Sequence, residues 1–266
     1  MTLIAAKLKY YLRNKKVVKV ITGLSNVNIS DVVKTVKAAE IARATYVDVA
    51  SNPKLVKILK SVTNLPICVS SIEPQDLYEC SLAGADIFEI GNFDTFYNKN
   101  IFITVPQILG LVKEAKVLLG NKPLCVTIPH TLLLDEQVDL AQEIEKLGII
   151  MIQTEGYSSK SNNSLHNRSL IVNSALNASS SLSSSYTLSK QVNIPIIASS
   201  GLNYISAQLA LSCGASGVGI GSALSYCKSV STKAESISQV ISTLNNSSIK
   251  FFPYLQANQM SCKFHI

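Results

Sequence analysis

Ile196-Ile197-Ala198-Ser199-Ser200-Gly201-Leu202 is followed, after one helix-length stretch, by Ser212-Cys213-Gly214-Ala215-Ser216 and then Gly217-Val218-Gly219-Ile220-Gly221-Ser222-Ala223. An apolar run, a helical stretch ending in glycine and a second apolar run read as strand, helix, strand, which demands a right-handed crossover between parallel strands. Leu82-Ala83-Gly84-Ala85-Asp86 repeats the junction, and a third helix ends near Gly148. A left-handed cap at such a point needs a residue without a Cβ.

Outward from this unit the same alternation fills the chain. The expected strands are Lys16–Thr22, Thr45–Val49, Pro66–Ser70, Ala85–Ile90, Pro123–Ile128, Ile149–Thr154, Pro195–Ser199 and Ser216–Ile220. Between them lie amphipathic stretches such as Val32, Val33, Val36, Ala39 and Ile41, or Val138, Leu140, Ala141, Ile144 and Leu147. Eight units of even length within 266 residues, 47% of them hydrophobic, predict one domain over 1–266. Its fold is α/β, a single (β/α)8 TIM barrel, for which roughly 250 residues are typical. An open doubly wound sheet is the alternative, and the even spacing favours closure.

Composition narrows the function classes. No apolar run approaches the roughly 20 residues that span a bilayer, and 15% charged residues is too few for disorder, so a soluble globular protein is expected. Met1 to Tyr11, with Lys7 and Lys9, reads as a first helix closing the barrel bottom rather than as a secretory signal. Cys68, Cys80, Cys125, Cys213, Cys227 and Cys262 show no metal-ligand spacing, and two fall in expected strands, so neither metal nor disulfide framework is expected. The net charge of +7 comes from 21 lysines and three arginines, Arg13, Arg43 and Arg168. The lysines are dispersed along helices without interleaved aromatics, which counts against nucleic acid as a partner. One segment breaks the rhythm: Ser158 to Ser185 is rich in Ser and Asn and is expected as a loop, either a lid over the ligand or a drifted surface segment.

In a barrel of this kind chemistry lies where strands end, so position selects the candidates. Lys19 shares parity with Ile21 and Gly23; pointing inward it is a general acid, a Schiff-base former or a carboxylate's partner, and pointing outward it is a surface lysine. Asp48, on the adjacent strand, is the nearest counter-charge for an inward Lys19. Glu89 closes strand four and is expected to supply an acid/base group together with His130 and Glu155. His130 follows strand five and Glu155 follows strand six, where a histidine can shuttle a proton and a glutamate orient it or share acid/base work. The strongest local signal is the last pair of loops. Ser199, Ser200 and Gly201 with Gly219, Gly221 and Ser222 put bare amides beside helix starts, a geometry that suits phosphate. Glycines needed only for close packing are the alternative.

Lys19-Val20-Ile21-Thr22-Gly23-Leu24, Val47-Asp48-Val49-Ala50, Pro66-Ile67-Cys68-Val69-Ser70, Phe88-Glu89-Ile90-Gly91-Asn92, Val126-Thr127-Ile128-Pro129-His130-Thr131-Leu132, Ile152-Gln153-Thr154-Glu155-Gly156 and the last glycine-rich strand together resemble the conserved chloroplast reading frame family (number twenty-three) of cyanobacteria and algal plastids. The resemblance runs from the first strand to the eighth. It implies a plastid-encoded protein of the stroma, consistent with the missing transit peptide and a Lys-, Asn- and Ile-rich composition, but it implies no reaction. The Ser/Asn segment departs from the family, where a loop richer in Gly and Pro is expected. The last two strands are also similar to those of phosphate-binding barrels such as thiamine phosphate synthase, a likeness at fold level only. The expectation is therefore an enzyme acting on a small phosphorylated metabolite by isomerisation, epimerisation or condensation, without a cofactor. The alternative is a non-catalytic sensor or assembly protein of the plastid that kept the phosphate site. A homo-oligomer is compatible with either.

Overall fold

The computed structural model describes residues 3–97, 99–156 and 169–246. Helix α1 (Leu3–Arg13) precedes the alternating units. These run β1 (Val17–Ile21), α2 (Ile29–Ile41), β2 (Tyr46–Ala50), α3 (Pro53–Lys60), β3 (Ile67–Ser71), α4 (Pro74–Leu82) and β4 (Ile87–Ile90). After β4 come α5 (Asp94–Tyr97), α6 (Val105–Leu119), β5 (Leu124–Ile128), α7 (Leu134–Lys146), β6 (Met151–Thr154), α8 (Leu170–Ser189) and β7 (Ile196–Ala198). The last units are α9 (Tyr204–Ser212), β8 (Gly217–Ile220), a 3-10 turn (Ser222–Leu224) and α10 (Val230–Asn245).

The strands pair in parallel in chain order, and β8 pairs back onto β1 with Lys19 opposite Gly219, so the sheet closes into a (β/α)8 barrel. The expected strands are all present, with ends displaced by a residue or two. Strands buried on both faces explain runs such as Val17–Ile21, apolar except for Lys19, because outer faces meet helices and inner faces meet one another. Val32, Val36 and Ala39 of α2 and Leu140, Ala141 and Ile144 of α7 supply the outer layer, with Val20, Val47, Val69 and Val126 from the strands. Helices α2 and α10 pack against each other beside the β1–β8 seam.

The inner face begins with an apolar plug. Leu8 and Leu12 of α1 pack on Val17, Tyr46, Cys68, Ile87, Cys125, Met151 and Ile197. Burial of leucines of this kind contributes roughly 1.5–3 kcal/mol each, and it closes the barrel where the strands begin. Gly84, Gly148 and Gly214 take φ of 104°, 70° and 92°, the conformation their helix ends require. Among the described residues no helix is long and apolar enough to cross a membrane.

One expectation is corrected. Residues 170–185, expected as the second half of a Ser/Asn-rich loop, belong to α8. The buried face of that helix carries Ser174, Ala178, Ser181, Ser185 and Leu188, at three- and four-residue spacing. The small side chains let α8 approach β6, where Thr154 Oγ1 lies 2.8 Å from Ser181 Oγ and 3.2 Å from Ser185 Oγ. The first half of the segment, together with His166, His265 and Cys262, lies outside the described residues.

Candidate functional site

Period-two alternation carries six polar side chains into the barrel one layer above the plug. Lys19 points inward and is fully buried. Its Nζ donates to Asp48 Oδ2 at 2.7 Å, to Glu89 Oε2 at 2.7 Å and to Gln153 Oε1 at 2.8 Å. An ammonium has three N–H donors, so all are engaged. Ser70 Oγ donates to Asp48 at 2.8 Å, while Glu89 Oε1 accepts from Thr127 Oγ1 at 3.0 Å and from Gln153 Nε2 at 2.9 Å. Burial disfavours the ammonium, but the carboxylates of Asp48 and Glu89 outweigh it and hold Lys19 well above its ordinary pKa. Burial pushes Asp48 upward against the pull of Lys19, with Glu89 adding repulsion.

Asp48, Cys68 and Glu89 bring ligand atoms within 4.8 Å of one another, the grouping a metal ion would use. The Lys19 ammonium bridges the two carboxylates and occupies the position of such a cation. Burial, with Asp48 beside it, raises the Cys68 thiol well above its ordinary pKa.

A cavity of about 720 Å³ opens above this layer at the ends of the strands. Thr127 and Gln153 form its floor and link it to the buried ions, whereas Lys19, Asp48 and Glu89 lie beneath the floor and do not line it. Glu155 lines the wall. A single oxygen of this carboxylate, Oε2, meets Tyr97 Oη at 2.6 Å, the His130 amide at 3.2 Å and His130 Nδ1 at 2.9 Å. The rings of Tyr97 and His130 meet edge to face at 4.9 Å. His130 therefore stands behind Glu155, orienting it, and the carboxylate is the group presented to the cavity.

Ser199, Ser200, Gly201, Gly219, Gly221 and Ser222 line the same cavity. Two details differ from the expectation. The heads of α9 and α10 are capped by the chain itself, Asn203 Oδ1 accepting from the amides of Ile205 and Ser206 and Ser229 Oγ from Thr232 N, whereas the 3-10 turn that directly follows β8 has no side-chain cap. What the loops offer an anion is therefore the turn backbone and the serine hydroxyls. Gly201, at φ 71°, also has a packing role, because a Cβ there would lie 2.0 Å from Asn177 O of α8. Gly221 is less constrained: its φ is not positive, and its Cβ would approach Ile21 Cβ to 3.2 Å. Lys34, Lys228 and Lys233 also line the cavity, with Asp31.

Sequence reasoning passed over Gln153, Thr127, Ser70 and Tyr97. The first three share the inner parity of Lys19, so the alternation rule extended to β3, β5 and β6 finds them. Tyr97 lies on the short α5 between β4 and α6, and no local pattern marks it.

A profile of the family described as "Protein of unknown function (DUF561)" matches residues 4–250. The "Uncharacterized protein ycf23" of Antithamnion sp. is 48% identical over 232 residues, 85% of this chain and 84% of that protein. Among solved structures, thiamine phosphate pyrophosphorylase from Pyrococcus furiosus superposes with a TM-score of 0.59 at 17% identity, covering 89% of this chain and 99% of that one. (S)-3-O-geranylgeranylglyceryl phosphate synthase from Thermoplasma acidophilum, solved with sn-glycerol-1-phosphate, gives 0.59 at 14% identity, covering 92% and 98%. At such identities the structures speak for the barrel alone.

Proposed function

This chain belongs to the DUF561 family, and on that premise we propose that it is an enzyme acting on a small phosphorylated metabolite by isomerisation, epimerisation or condensation. One observation carries the reading: a single cavity joins the loops Ser199–Gly201 and Gly219–Ser222 to an oriented carboxylate, Glu155, and to a floor wired to a buried ion cluster. The loops hold the phosphate through backbone amides and hydroxyls. Glu155, its Oε2 occupied by Tyr97 and His130, presents its other oxygen as general base to a carbon-bound proton or a hydroxyl of the substrate. Thr127 and Gln153 fix the substrate's polar body from below, and Lys19, Asp48 and Glu89 hold them in place. The two solved barrels act on or bind phosphate compounds by their titles, which supports the substrate class. The chain works as one barrel domain in the plastid stroma.

The test is a screen of phosphorylated metabolites in deuterated water, following both conversion and deuterium uptake. We expect uptake with at least one compound, lost by two or more orders of magnitude in Glu155→Gln and reduced in His130→Ala. Turnover that survives both variants unchanged contradicts the catalytic assignment, and binding without any turnover favours a sensor.

A further inference from the structure

The cavity does not end at the phosphate loops. It extends sideways between the β1–α2 segment and the stretch joining the 3-10 turn to α10. Lys34, Lys228 and Lys233 line this extension against one carboxylate, Asp31, whose Oδ1 is 3.9 Å from Lys34 Nζ. Lys233 Nζ donates to Leu224 O at 3.1 Å, which fixes the ammonium and leaves two of its three N–H groups. Lys228 has no carboxylate partner among the described residues. Three ammonium groups around one concavity repel each other, a cost that an anionic ligand relieves. The lining toward the barrel axis is neutral and polar, with Ser25, Asn26 and Asn92 leading to Thr127 and Gln153. The volume of about 720 Å³ is in the upper part of the roughly 300–1,000 Å³ of ligand pockets, more than a phosphate on a short carbon body fills.

We propose that the extension is a second anion subsite, and that the ligand is a small polyhydroxylated molecule with an anion at each end. Its phosphate lies in the β7 and β8 loops, and its second phosphate or carboxylate meets Lys34, Lys228 and Lys233. The proposal rests on the reading that those loops hold the first phosphate. An apolar tail, the other way to fill the volume, would meet Leu24, Leu224 and Cys227 but would lie among the three ammonium groups.

The test titrates the full chain with inorganic phosphate and with mono- and bisphosphates of butane-1,4-diol, pentane-1,5-diol and hexane-1,6-diol. We expect at least one bisphosphate to bind about tenfold or more tighter than its monophosphate, the size of one or more charge-assisted contacts. The double variant Lys34→Gln/Lys228→Gln, changed at two exposed positions, should abolish that gain while leaving monophosphate affinity unchanged. Replacing the second phosphate by a carboxylate on the same diol frame then tells which anion fits better. Equal affinity for mono- and bisphosphates at every length overturns the proposal, as does an equal loss of both in the lysine variant. Failure of phosphate and every monophosphate to bind brings down the loop reading itself.

Discussion

Lys19→Met leaves Asp48 and Glu89 facing each other in the barrel without their shared cation. Breaking a buried ion pair from one side costs about 3–5 kcal/mol, and urea unfolding should show a loss of that order. A loss under about 1 kcal/mol would mean that the network adjusts independently of the lysine. The pH dependence has a definite sign. Because the folded state holds Lys19 above its ordinary 10.5, the stabilisation is complete below that value and is lost as pH rises through the folded value. The stability gap between wild type and Lys19→Met should therefore narrow above pH 10.5. Tyr46 makes a contrasting case: its hydroxyl is buried with no partner among the described residues. Removing an unsatisfied buried group costs nothing and commonly helps, so Tyr46→Phe should leave stability unchanged or raise it by about 1 kcal/mol. A clear loss in thermal unfolding would reveal a partner for that hydroxyl. At this scale the sequence identified the charged members by parity and adjacency but passed over the neutral ones. Gln153 and Thr127 attract no attention by type, and only the third dimension shows that they connect the ions to the cavity.

Among the elements, the strands were legible because burial on both faces writes them as β-branched runs, and three helix ends because glycine takes the positive φ found there. Helix α8 was not. Its buried positions, Ser174, Ala178, Ser181 and Ser185, are small rather than apolar, so its helical period is invisible to a hydrophobic pattern. The consequence is testable at the α8–β7 contact. Gly201→Ala drives a Cβ into Asn177 O and strains a positive φ, and should lower stability by about 1–3 kcal/mol and displace the loop. Gly221→Ala meets only a 3.2 Å approach to Ile21 and should stay folded, so phosphate titration of this variant probes the site without the fold. Equal unfolding free energies for the two variants would contradict the assignment of Gly201 to helix packing.

For the whole molecule, closure of the sheet decides where function can lie. The α1 plug seals one end with apolar side chains, a polar layer crosses the middle, and the open end collects the loops of β1, β4, β6, β7 and β8 around one cavity. Even strand spacing made the closed barrel readable in the sequence, and barrel geometry then pointed to the strand ends. The division of labour there was not readable, because Glu155 Oε2 is held by Tyr97, far away in the chain, as well as by His130. The most direct measurement is a crystal structure of the protein soaked in concentrated phosphate. The account predicts an ordered tetrahedral anion touching the backbone of Ser199–Gly201 and of Gly219–Ser222; an anion bound elsewhere, or none while both loops are ordered and open, would contradict it.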